Sequence, residues 1–239
     1  METKARGQVG REATVIRICL VVLATQGAIS ALAAAQSTQA AGSQLPQLMD
    51  REKETALALS ACPKSVASKA AVYVLEKSGY VRVRDSQNGY TAIVQHSLPT
   101  SQEPQCMDVE GTRTFLPRIL KVAELRAQGK SSEEIERFVA DAFAKGVFQA
   151  PTRPGVDYML STENVVTIDE VKGIVSPFPP HVMFYGPYMT NADLGSDGNP
   201  AGPAFVVGEG SPHALIIVPL REHADQSHTS ANKSSGGPQ

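Results

Sequence analysis

The chain has 239 residues, 42% of them hydrophobic and 19% charged, with 22 basic residues against 24 acidic ones and a formal net charge of -2. This composition excludes a chain disordered throughout, and the scattered prolines and glycines exclude collagen-like and repeat architectures. It also lacks the basic excess that drives phosphate binding, so the expected partners do not include nucleic acid.

At the N-terminus, Lys4, Arg6, Arg11 and Arg17 precede an apolar run that passes into the alanine-rich segment ending at Ala35. A basic region, an apolar core and small residues form the order of a secretory signal peptide, predicted over residues 1–35 with cleavage near residue 33 or 35. The competing reading is an uncleaved anchor, because residues 18–35 approach the roughly 17–25 needed to span a bilayer. Thr25, Gln26, Gly27 and Ser30 dilute that run and favour cleavage. The expectation is an exported protein, periplasmic or extracellular, with no stable membrane insertion once the signal is removed. Cleavage takes four basic and two acidic residues with it and leaves the mature chain more acidic, which further disfavours anionic surfaces.

Residues 36–47 are rich in Gln, Ser, Ala and Gly and read as a flexible spacer. Asp50 caps a predicted helix that runs through Leu59 and stops before Pro63. Three runs rich in Val, Ile and Tyr follow, over 71–76, 80–84 and 90–96, with turns at 77–79 and at 86–89, where Asn88-Gly89 is a strong hairpin signal. They predict an antiparallel meander. A proline-bearing polar loop over 98–108 leads to a helix in which Leu116, Ile119, Leu120 and Ala123 share one stripe, closed by Gly129. Ser131 and Glu134 are spaced as a capping box for a second helix, with Ile135, Phe138, Val139, Ala142 and Phe143 along one side and Gly146 at its end. The two predict an αα-hairpin whose apolar face packs on the sheet.

Strand patterns return over 156–160, 181–185, 204–207 and 214–218, with an irregular segment at 164–180. Residues 221–239 form a polar tail with too little apolar surface to order itself. The predicted fold class is therefore α+β: one domain over residues 48–220, its antiparallel sheet built from an N-terminal meander and C-terminal strands packed on the αα-hairpin.

After signal removal two cysteines remain, Cys62 and Cys106, in a compartment where disulfides persist. A bridge between them would restrain the unfolded chain by about 4 kcal/mol, and the alternative is two separate buried thiols.

No Walker loop, dinucleotide fingerprint, zincin motif, nucleophile elbow or CxxC pair is present. The most suggestive block runs from Pro179 to Gly202. There His181 and Tyr185 project to one face of a strand, and Tyr188, Asn191 and Asp193 occupy the Gly- and Pro-punctuated loop beyond it. These five residues are the candidate binding site. If the strand near His213 pairs with that of His181, then His181, Asp193 and His213 make a candidate two-histidine, one-carboxylate metal set. The alternative reading is a hydrogen-bonded core histidine beside an ordinary polar turn. No cofactor is named by any motif.

The blocks EGTRTFLPRILKVAELRAQGKSSEEIE from Glu110, RPGVDYMLS from Arg153 and PHVMFYGPYMTNADLG from Pro180 resemble those of a group of exported bacterial proteins of unknown function. The resemblance covers most of the mature chain and implies export and a single α+β domain, with no activity or residue roles to carry over. The functional expectation is a binding or envelope-associated accessory domain, its partner a small molecule or an envelope protein. The alternative is a hydrolytic enzyme, with or without a metal, with its site around His181 and Asp193.

Overall fold

The computed structural model describes residues 45–220. The predicted signal peptide, the spacer up to residue 44 and the polar tail lie outside the described residues.

The described chain opens with helix α1 (Arg51–Ser60), capped by Asp50, whose carboxylate accepts the N–H groups of Glu52 at 2.9 Å and Lys53 at 3.2 Å. One helical turn, α2 (Lys64–Ala67), precedes strands β1 (Ala71–Glu76), β2 (Gly79–Arg84), β3 (Thr91–Gln95) and β4 (Glu103–Met107). Helices α3 (Val109–Thr114), α4 (Leu116–Ala127) and α5 (Ser132–Ala144) follow. Then come β5 (Val156–Met159), β6 (Val165–Asp169), β7 (Ile174–Pro177), β8 (His181–Tyr185), the short α6 (Asn191–Leu194), β9 (Phe205–Val207) and β10 (Leu215–Pro219). This is a mixed α+β arrangement. Eight strands form one sheet in the order β2-β1-β3-β4-β5-β8-β10-β9, antiparallel except where β1 and β3 run parallel, and β6 and β7 form a separate two-stranded ribbon.

The expected N-terminal meander is corrected by this order. β2 and β3 do not pair; they flank β1 on opposite sides, and the Asn88-Gly89 segment carries the chain across the end of β1. There Gln87 N–H donates to the Lys69 carbonyl at 2.8 Å and the Asn88 side-chain amide to the Val66 carbonyl at 3.0 Å. The physical reason is burial on both faces. Thr91, Ala92, Ile93 and Val94 are all buried, the pattern of an interior strand, whereas β2 beyond Gly79 is only partly buried and occupies the edge. Further elements stand where loop was predicted: β4 despite Pro104, the β6–β7 ribbon within 164–180, and the one-turn α6.

Helices cover the central strands of the sheet on both faces. On one side α1 packs against β1, β3 and β4, so that Leu57 and Ala58 meet Val72, Val74, Ala92, Val94 and Cys106. On the other, Phe115, Leu116 and Ile119 meet Ile93, Met107 and Tyr185. The capping box of α5 forms as expected, and α5 packs on α4 while α4 lies against β2. Cys62 and Cys106 are bridged, with Cα atoms 5.1 Å apart, which ties the end of α1 to β4. Among the described residues no helix is long and apolar enough to cross a membrane.

Candidate functional site

The sequence-predicted residues lie along β8 and the loop after it. His181, at the start of β8, is buried; its Nδ1–H donates to the Pro179 carbonyl at 2.8 Å, and its ring meets Phe178 edge-on with centroids 4.9 Å apart. Burial holds its basicity below the ordinary histidine value. Tyr185, at the other end, is also buried. Its hydroxyl contacts Asp108 at 3.1 Å and the Val156 carbonyl at 3.0 Å, and its ring stacks on Phe115. Burial pushes the phenol well above its usual range, assisted by the neighbouring Asp157 and Asp108. Gly111 and Gly155 make room for this ring, since a Cβ at Gly111 would stand 2.0 Å from the Tyr185 hydroxyl oxygen.

The metal set is not assembled. β8 and β10 do pair, but antiparallel, with His181 opposite Pro219 and Tyr185 opposite Leu215. His213, two residues ahead of β10, therefore lies beyond the far end of a ladder that itself runs about 14 Å from the His181–Pro219 pair to the Tyr185–Leu215 pair. Its ring is stacked on Phe115 with centroids 4.2 Å apart and meets Phe143 edge-on at 4.6 Å; burial, with Arg118 nearby, lowers its pKa to about 4. Among the described residues no group of three His, Cys, Asp or Glu side chains is placed to hold a metal ion.

In the loop, Asp193 closes a capping box with Thr190, accepting its N–H at 2.9 Å and its hydroxyl at 2.8 Å, and these bonds hold its carboxyl below the usual range. Asn191 acts as a surrogate strand partner: its amide donates to the Val206 carbonyl at 3.1 Å and accepts the Val206 N–H at 2.7 Å. Tyr188 is exposed and takes a left-handed backbone, φ 67°, with its N–H donating to the Ser211 carbonyl at 2.8 Å. The side chains of Asn191 and Asp193 are thus engaged in holding the local backbone.

A concave site lies elsewhere. A pocket of about 220 Å³ opens between the sheet and the α4–α5 pair, its apolar wall including Leu75 of β1, Ile119 and Ala123 of α4, and Ile135 and Val139 of α5. Its polar wall holds His96, Arg118 and Arg126. Arg126 donates to the carbonyls of His96 and Ser97, which fixes the turn after β3 against α4. His96 Nδ1 contacts the Ser101 carbonyl; a carbonyl only accepts, so Nδ1 carries the proton and Nε2 is a bare acceptor. That Nε2 is buried without a partner. Burial, opposed by the Ser101 bond and reinforced by Arg126, lowers the basicity of His96. Arg118 has no hydrogen bond or ion pair among the described residues, and burial together with the like charge of Arg126 depresses its pKa.

None of these residues stood among the sequence candidates. The signal was present in α4, where Arg118, Val122 and Arg126 recur at four-residue intervals beside the apolar row of Ile119 and Ala123. Such a row ordinarily faces solvent; here the packing of α5 turns it inward. In comparisons with known proteins, no family model, no curated protein and no solved structure matches the chain.

Proposed function

We propose that the mature chain is an exported binding domain, an envelope-associated accessory protein that holds a small ligand in the pocket between the sheet and the α4–α5 hairpin. The observation that carries this reading is one pocket that combines an apolar wall with polar groups left without protein partners, His96 Nε2 and Arg118. Buried polar groups are normally satisfied within the fold, so the orphaned His96 Nε2 at a concave site points to a ligand, and the half-buried Arg118 is free to meet one. Export is supported by the N-terminal basic and apolar pattern and by the Cys62–Cys106 bridge, which suits an oxidising compartment. At the strand end, His181 is bonded to backbone alone and Asp193 is engaged in a helix cap, which favours binding over hydrolysis.

The test is thermal melting of the oxidised mature protein against a panel of small acids, alcohols, amines and amides, with Val139→Phe as a pocket-filling control. At least one class should raise the midpoint of the wild type and lose that effect in the variant. A panel that shifts neither protein, or both alike, would refute the pocket.

A second reading is favoured by the uncovered side of β5, β8 and β10. Val182 pairs with Val218 and Phe184 with Ile216, so four apolar side chains share that face, and Phe184 is 44% exposed. Such a strip suits an envelope protein as partner. Cross-linking in whole cells, compared between wild type and Phe184→Glu, tests it; an unchanged cross-linking pattern counts against the strip.

A further inference from the structure

The pocket's charges narrow the class of ligand, an inference that rests on the binding reading above. Four charged residues line the pocket, Arg118, Arg126, Glu136 and Glu170. They are not placed alike. Glu136 and Glu170 are exposed at the rim, whereas Arg118 and Arg126 are drawn into the wall. No ion pair joins either arginine to a carboxylate among the described residues. Arg126 is committed to two neutral carbonyls, and the nearby Glu103 is committed to Ser97, whose N–H it accepts at 3.1 Å. The wall thus holds two partly desolvated guanidinium groups without a direct ion pair: Arg126 is partly offset at longer range by Glu103 and Glu170, and no carboxylate acts on Arg118. Taking a guanidinium out of water without a partner is costly, and an anion seated between two of them offsets that cost for both. A planar carboxylate also matches the guanidinium fork, with two parallel N–H···O bonds available from Arg118.

The remaining wall sets the rest of the ligand. Leu75, Ile119, Val122, Ala123, Ile135 and Val139 offer hydrocarbon. The volume, about 220 Å³, is below the roughly 300–1,000 Å³ of drug-sized sites, so the ligand is fragment-sized. We infer that the pocket takes a small aliphatic carboxylate, its acid group against Arg118 and Arg126 and its chain along the apolar face of α4 and α5.

The experiment uses calorimetric titration of the oxidised mature protein with three probes of equal chain length: hexanoate, hexan-1-ol and hexylammonium. Arg118→Gln is the informative variant, because Arg118 holds nothing else in place, and Arg118→Lys restores charge without the fork. Val139→Phe reports on the pocket itself. Hexanoate should bind the wild type at least about tenfold more tightly than either other probe. That advantage should vanish in Arg118→Gln and return in part in Arg118→Lys, and Val139→Phe should abolish binding. If hexan-1-ol or hexylammonium binds as well as hexanoate, with Arg118→Gln without effect and Val139→Phe still blocking, the carboxylate assignment fails while the pocket stands. If no probe shows binding that Val139→Phe removes, the assignment and the pocket fail together.

Discussion

Glu54 is a buried carboxylate that the fold leaves without a countercharge, and its replacement by glutamine should stabilise the protein at neutral and alkaline pH. The residue sits on α1, is 1% exposed, and accepts the Leu75 N–H through Oε1 at 2.8 Å. Among the described residues it has no ion pair. Burial pushes its pKa up to about 7, partly offset by the Leu75 bond. With the folded value raised above the unfolded one, Glu54 does no harm below about pH 4.5, where it is neutral in both states. Its cost grows as pH rises from there through 7 and then levels off, because the folded chain must either retain the proton or bury the charge. The displacement from 4.5 to about 7 corresponds to about 3 kcal/mol. Glu54→Gln keeps an acceptor for Leu75 and removes the titration. Denaturant unfolding of both proteins with the disulfide intact, from pH 4.5 to pH 8.5, should show near-equal stability at the acid end and a gain of about 2–3 kcal/mol for the variant at the alkaline end. A difference that does not change with pH, or a variant less stable at pH 8.5, would mean that a partner favours the charged form and that this reasoning is wrong.

Three other perturbations follow from the same geometry. Glu110 is buried and held by Arg113 at 2.5 Å and Arg153 at 3.2 Å, with its carboxyl pulled down to about 2. Its stabilising contribution is complete above pH 4.5 and fades as the pH falls toward 2. Because both arginines are substantially exposed, we expect about 1–2 kcal/mol, measured as the loss in Glu110→Gln at pH 7 that closes at acid pH. Gly111→Ala drives a Cβ to within 2.0 Å of the Tyr185 hydroxyl and should lower stability by about 1–3 kcal/mol; an unchanged melting midpoint would place Tyr185 elsewhere. Replacing both Cys62 and Cys106 by serine should cost about 2–4 kcal/mol in the same unfolding assay, and no loss would show that the bridge does not form.

The sequence was most legible where local chemistry decides the outcome. Asp50, Ser131 and the glycines at 129 and 146 act through their own neighbours, so the starts of α1 and α5 and the left-handed ends after α4 and α5 fall where the pattern puts them. β8 likewise matches, residue for residue, because its alternation is set by one buried face. Pairing partners are a different matter. The hairpin signal of Asn88-Gly89 concerns four residues, while the choice between β2 and β1 as neighbour of β3 concerns which strand offers a second apolar face. β1 does, with Val72 and Val74 packed toward α1 and Tyr73 toward the opposite cluster. Period alone carries no information on that choice.

The same distinction explains why the candidate site moved. The block after His181 stood out because its residue types are those of binding loops, yet composition does not say whether a polar group is already engaged. Asp193 is bonded to Thr190, Asn191 to Val206 and His181 to Pro179, so the very bonds that make this segment a stable turn already occupy the polar groups that drew attention to it. Arg118 shows the converse. On a helix read alone, its place beside the apolar row is that of a solvated flank; once α5 closes over α4, the same position becomes a pocket wall, and no donor or acceptor of the protein answers it. The residue proposed to meet a ligand is distinguished here by the bond it lacks, and a missing bond is a property of the assembled structure.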